Sequence, residues 1–179
     1  TGSVGQLSRS ISNSRVDLNP HQVDAALFAV RSPLSKGVLL ADEVGLGKTI
    51  EAGLVIQELF LRHRARTAVI VCPPSLALKW QDEMREKFGL EFTIVNSELM
   101  AQVRRTHGLH ANPFQLFPRV IVSMAWLPQV RAQRLLRDVY AQANNPKTGK
   151  RYAFDVLVVD EQDVHPLADP RRHALSYAL

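Results

Sequence analysis

The chain of 179 residues is long enough for one α/β domain with a full core. Its 22 Lys+Arg outweigh 17 Asp+Glu, giving a net charge of +5 and a pI near 9.7, a balance compatible with a nucleic-acid surface but also common in soluble domains. The lone cysteine, Cys72, excludes an internal disulfide, and no apolar run approaches the roughly 18 residues of a membrane span, so the expected setting is soluble and cytoplasmic.

Thr1 to Arg15 is polar, with Ser8, Ser10, Ser12 and Ser14 spaced among Ile, Asn and Arg, and reads as a loose arm ahead of a domain over 16–179. A helix can begin at Asn19-Pro20, with Val23, Ala26, Leu27 and Val30 on one stripe and Gln22 at its start. Val38-Leu39-Leu40 then reads as a buried strand. A turn rich in Gly and acidic residues follows it, and then a segment whose apolar residues Ala52, Val55, Ile56, Leu59 and Phe60 recur at helical spacing.

Strand, glycine loop and helix, in that order, are what a phosphate-binding loop requires. Gly45 and Gly47 let the backbone curl so that successive N–H groups converge on an anion at the N-terminus of the new helix. Lys48 can reach terminal phosphates, and the Thr49 hydroxyl can take one position on a magnesium ion. The generic pattern wants Gly five residues before Gly47, where this chain has Asp42.

Beyond the basic segment Arg62-His63-Arg64-Ala65-Arg66, the β-branched run 67–72 predicts a strand that Pro73-Pro74 ends. Ser75 is expected to cap a helix with Leu76, Trp80, Met84 and Phe88 on its inner face, stopped by Gly89. A strand over 92–95 follows. Residues 96–118 are ambiguous, with a short helix at 97–105 and then a loop containing Gly108, Pro113 and Pro118. A strand over 119–123, a helix from about Pro128 to Gln142, a turn-rich loop over 144–149 and a strong strand over 154–159 complete the pattern. Strands alternating with helices argue for a parallel sheet with helices on both faces, whose ligands bind beyond the carboxyl ends of the strands.

The last strand runs directly into Asp160-Glu161. An acidic pair after a strand is usually a solvated strand end. Beside a phosphate loop, however, Asp160 suits the magnesium shell and Glu161 the attacking water. His107 with His110, or His165 with His173, could suggest a metal, but a single cysteine and no second ligand pair argue against zinc. Thr148-Gly149-Lys150 imitates a phosphate loop without a strand leading into it, and reads as a surface turn.

In sequence order, ADEVGLGKT, VIVCPPSLALKWQDEM, VIVSMAWL and VLVVDE resemble the first RecA-like motor domain of the Swi/Snf-type ATPases, relatives of the DEAD/DEAH-box helicases. The resemblance covers roughly residues 16–165 and accounts for Asp42, because the family writes its phosphate loop D-E-x-G-L-G-K-T. It implies a RecA-like P-loop fold that uses ATP and Mg2+. The nucleotide would lie against Gln22 (adenine), Asp42, Glu43, Gly45, Leu46, Gly47, Lys48, Thr49 and Ile50, with Thr49 and Asp160 on the metal and Glu161 on the water. Pro74, Ser75, Lys79 and Ser123 match segments that lie along the nucleic-acid backbone. Double-stranded DNA, a second RecA-like domain of the same parent chain and further complex subunits are the implied partners, with no membrane. GLGKTIEAGLVIQEL is nearer to bacterial members, among them the RNA-polymerase-recycling ATPase and helicase-like components of phage-defence systems such as DISARM.

Two departures stand out. Gln162-Asp163 replaces the residues that follow Asp-Glu in the family, including a histidine that couples the nucleotide site to the second domain. The chain also stops at Leu179, before the second domain and its arginine fingers, so the isolated 179 residues are expected to be weakly active or inactive. A GTPase or small-molecule kinase is disfavoured by the lack of N-K-x-D. A nucleotide-dependent binding module without productive hydrolysis is the alternative that Gln162-Asp163 keeps open.

Overall fold

The computed structural model describes residues 37–41, 47–143, 147, 153–161 and 174–178. The arm over 1–15, the Asn19-Pro20 helix with Gln22, the loop residues Asp42, Glu43, Gly45 and Leu46, and Gln162-Asp163 lie outside them. In chain order the elements are β1 (Gly37–Ala41), α1 (Lys48–Leu61), β2 (Ala68–Cys72), a 3-10 turn (Pro74–Leu76), α2 (Ala77–Phe88), β3 (Thr93–Val95), α3 (Ser97–His107), α4 (Pro113–Leu116), β4 (Arg119–Ser123), α5 (Val130–Ala143), β5 (Val156–Glu161) and β6 (Ala174–Ala178).

They form one sheet in the order β1-β6-β5-β2-β4-β3. Its centre is the expected parallel block: β2 pairs in parallel with both β4 and β5, and β3 with β4. To this expected parallel sheet the structure adds one strand that the alternation of elements did not foresee, because β6 runs antiparallel between β1 and β5. The segment ALSYA has no β-branched residue and two alanines, so its strand propensity is low, and pairing on both edges supplies what propensity does not. As β1 is antiparallel to β6 and β6 to β5, β1 still points the same way as the parallel block. Its carboxyl end therefore reaches the same edge.

Period-2 alternation sorts the strands between two cores. Ala68, Ile70 and Cys72 of β2, Ile121 of β4, and Val156 and Val158 of β5 pack under α1 and α2. The alternate residues Val69, Val71, Val120, Val122, Leu157 and Val159 pack under α3, α4 and α5. Helices thus cover both faces.

In α1 every residue from Glu51 to Leu59 is buried, and α2 crosses close over it. A Cβ added at Gly53 would stand 2.1 Å from the Phe88 ring, so only glycine permits this crossing. Gln57 Nε2 donates to the Phe88 carbonyl at 3.1 Å beside it. The α2 stripe is as expected, with Trp80, Met84 and Phe88 buried and Leu76 half-buried, and Gly89 ends the helix in the left-handed region (φ 65°).

Its start differs. Ser75 does not cap α2: Pro73 is held extended by Pro74, the 3-10 turn begins at Pro74, and Leu76 occupies the N-cap without a side-chain bond. The ambiguous stretch holds more helix than its sequence suggests. Asn96 caps α3 by accepting the Leu99 amide at 2.8 Å. Asn112 accepts the Phe114 amide at 3.1 Å to start α4, and its Nδ2 donates to the Leu135 carbonyl of α5 at 2.9 Å. Phe114 then stacks at an angle on Trp126 and Phe154.

Candidate nucleotide site

The phosphate-loop helix opens on Gly47, whose φ of 86° and ψ of 37° lie in the region only glycine enters without strain. Its carbonyl accepts the Ile50 and Glu51 amides at 2.9 and 3.2 Å, so helical bonding begins there. The backbone donors of this first turn point out of the N-terminal end of α1, the positive end of the helix dipole. Gly47, having no side chain, cannot cap them, which suits a turn that receives an anion. Lys48 and Thr49 are half-buried in the first turn, and Ile50 packs its side chain against the core below. Glu51, which the sequence reading did not single out, is a buried carboxylate at 1 % exposure in that turn.

The second half of the site ends β5. Asp160 lies on the same side of the sheet as Val156 and Val158, under α1 and α2. It is half-buried, and its Oδ2 accepts a hydrogen bond from Trp80 Nε1 at 2.9 Å. The sequence sets Trp80 on the inner face of its helix, at the end of the segment that the resemblance lays along nucleic acid, and gives no sign of the bond to Asp160. The missed signal is that a buried indole must find an acceptor for its N–H. Cys72, fully buried at the end of β2, completes this corner. Burial first, and the Asp160 charge second, push its thiol up from 9.0 to about 12, so it stays neutral beside the carboxylate.

Glu161 is the last residue of β5, paired with Ala174 of β6. The strand carrying the loop and the strand carrying Asp160 are separated by β6 alone, about 10 Å from axis to axis. Gly47–Thr49 and Asp160 thus share one edge and one face of the sheet. The Thr49 hydroxyl and the Asp160 carboxylate are hard oxygen donors of the kind magnesium takes when phosphates supply the rest of its shell. The donor set fits a magnesium nucleotide. Among the described residues no group of three or more His, Cys, Asp or Glu side chains could hold a metal on its own.

The expected nucleic-acid residues lie at the same edge. Pro74, Ser75 and Lys79 are exposed, on the 3-10 turn and the first turn of α2. Ser123 ends β4 in register with Cys72 and is half-buried, with its Oγ accepting the Trp126 amide at 3.1 Å. Of the basic run, Arg62 pairs with buried Glu58, whereas Arg64 and Arg66 are exposed.

A parallel block covered on both faces, with a glycine turn opening a helix opposite a strand-end aspartate, defines the RecA-like P-loop class. Comparison with known proteins narrows this. The SNF2-related domain family model matches residues 21–163. The chain is 34% identical over 154 residues to the RNA polymerase-associated protein RapA of Histophilus somni, and 40% identical over 147 residues to that of Pectobacterium atrosepticum. These alignments cover 86% and 82% of this chain but only 15% and 14% of the relatives. The Sulfolobus solfataricus SWI2/SNF2 ATPase core in complex with dsDNA shares the fold, with a TM-score of 0.54 at 22% identity over 66% of this chain and 24% of that one. The chain belongs to the SNF2-related family of Swi/Snf-type, helicase-related ATPase domains, and its similarity to RapA places it on the bacterial side of that family.

Proposed function

We propose that this domain is the ATP-binding, N-terminal RecA-like half (residues 16–179) of a motor that couples ATP hydrolysis to movement along double-stranded DNA. The observation that carries the reading is the shared edge: the Gly47 turn with Lys48 and Thr49, and Asp160 on the same face. Family membership supports ATP as the nucleotide and Mg2+ as its metal.

In this reading Gly47 and the first-turn amides bind the phosphates, together with Asp42, Glu43, Gly45, Leu46 and Ile50, and Gln22 reads the adenine. Lys48 neutralises charge on the terminal phosphates, Thr49 and Asp160 hold the magnesium, and Glu161 orients or deprotonates the attacking water. The magnesium, when bound, neutralises charge building on the phosphates. Pro74, Ser75, Lys79 and Ser123 track the backbone of the duplex, which gives no base specificity. A second RecA-like domain of the same parent supplies what this one lacks for turnover. The solved duplex complex of the archaeal neighbour supports the DNA partner, and the relatives' description as RNA polymerase-associated favours a transcription complex over a phage-defence one.

The test is ATP hydrolysis by the full-length protein with and without duplex DNA, beside Lys48→Ala. Stimulation by DNA that the substitution abolishes supports the motor. Activity indifferent to both overturns it. Gln162-Asp163 favours a second reading, a nucleotide-dependent binding module without productive hydrolysis. Equal rates for Glu161→Gln and wild type would select it.

A further inference from the structure

The indole of Trp80 is 1 % exposed, on the inner stripe of α2 with Met84 and Phe88, and its Nε1–H donates to Asp160 Oδ2 at 2.9 Å. A stripe needing only apolar bulk is served by Phe, as it is at Phe88 two turns on. An indole in the same stripe brings a donor that costs free energy if left unmade in the core. Here that donor meets a carboxylate, making a charge-assisted bond of the stronger kind. The bond ties a β5 side chain to a helix that is locked against α1 at Gly53, so the ring cannot follow the carboxylate if it turns.

We propose that Trp80 is a positioning residue for Asp160: its N–H fixes the carboxylate by one oxygen, leaves the other to the magnesium shell, and thereby sets magnesium affinity. The inference rests on the nucleotide-site reading, in which Asp160 is a metal carboxylate. Outer partners of metal-binding groups act in this way, by orienting a ligand and holding its charge. Cys72, which also lies near Asp160, is a fully buried thiol on β2 and offers no comparable donor.

The test uses the full-length protein and equilibrium binding of a fluorescent ADP analogue, titrated with Mg2+ and repeated in excess chelator. Trp80→Phe keeps an aromatic ring in the stripe and removes the N–H. It should raise the Mg2+ midpoint on the order of tenfold, while metal-free nucleotide affinity stays within about twofold of wild type. Asp160→Asn should raise the midpoint as well, and adding Trp80→Phe to it should change nothing further. If Trp80→Phe does not fold, replacing Trp80 by β-(3-benzothienyl)alanine retains the bicyclic shape and deletes only the donor, and should give the same shift.

An unchanged Mg2+ midpoint in a folded Trp80 variant overturns the positioning role and leaves the site intact, provided Lys48→Ala still abolishes binding. Equal losses with and without Mg2+ make Trp80 merely structural and also overturn it. Nucleotide binding by the wild type that ignores Mg2+ removes the site reading itself.

Discussion

Thr67 and Asp155 bond each other in both directions: Thr67 Oγ1 accepts the Asp155 amide at 3.0 Å and donates to Asp155 Oδ2 at 3.2 Å. The same oxygen accepts the amides of Arg66 and Thr67 at 2.7 and 3.0 Å. This clasp joins the entrances of β2 and β5, at the start of the register that runs from Ala68 with Val156 to Val71 with Val159. A slip of one residue would turn Asp160 to the opposite face, away from Trp80. Asp155→Ala leaves several donors without their acceptor. It should lower the free energy of unfolding by about 2 kcal/mol, read from urea transitions. Asp155→Asn, which keeps an acceptor oxygen, should cost less. A loss within about 0.5 kcal/mol for the alanine variant would show that the clasp does not hold the register.

Gly53 allows a second sharp expectation, because two effects of known size oppose each other. Alanine at an interior helix position gains about 1 kcal/mol over glycine in propensity. The added methyl would meet three Phe88 ring carbons at 2.1, 2.5 and 2.6 Å, and overpacking of this kind costs about 1–3 kcal/mol. Gly53→Ala should therefore destabilise the domain, and Phe88→Leu in the same chain should recover part of the loss. A Gly53→Ala protein with a higher melting temperature than wild type would mean that α2 shifts freely, contrary to the tight crossing.

Much of this architecture is legible in the sequence, for local reasons. The run 67–72 is β-branched and apolar on both faces, as a buried parallel strand must be, and Gly47 and Gly89 both fall where the backbone turns left-handed. What escaped reading depends on distant partners or on local combinations that single-residue rules do not contain. Strand β6 has little propensity of its own and is held by pairing with β1 and β5. Helix α4 is one turn long, set by the Asn112 cap and not by any periodicity. The shift of the helix start past Ser75 follows from two prolines acting together, where a capping rule treats one residue at a time. At the site, Lys48, Thr49 and Asp160 could be named from motif order. The Trp80–Asp160 bond joins residues 80 apart, and no spacing rule contains it.

Cys72 carries an alkaline prediction. Its folded pKa of about 12 lies above the ordinary 9.0, because burial and the Asp160 charge both disfavour the thiolate. The neutral thiol therefore contributes stability that is complete below about pH 9. That contribution is lost as pH rises toward 12, since the unfolded chain ionises first, at up to about 1.4 kcal/mol per pH unit. Between about pH 8 and pH 10.5 the wild type should lose more unfolding free energy than Cys72→Ala, and a thiol reagent should label Cys72 only on unfolding. Parallel losses in the two proteins, or rapid labelling of the native state, would contradict this placement of the thiol.

Lys79 and Trp80 are neighbours with opposite exposure, one open to solvent on the first turn of α2 and the other buried beneath it. In the proposed motor the lysine meets a phosphate and the indole meets Asp160, so their substitutions should separate cleanly. Removing one phosphate contact weakens binding about equally on all sequences and lowers the dependence of log affinity on log salt by about one unit. Lys79→Ala in the full-length protein should do this, while its Mg2+-dependent nucleotide affinity stays at the wild-type value. Trp80→Phe should show the converse. A Lys79→Ala protein with an unchanged salt slope would remove this turn of α2 from the duplex interface. The contact would then have to be sought at Ser75 and Ser123, which share the edge but carry no charge.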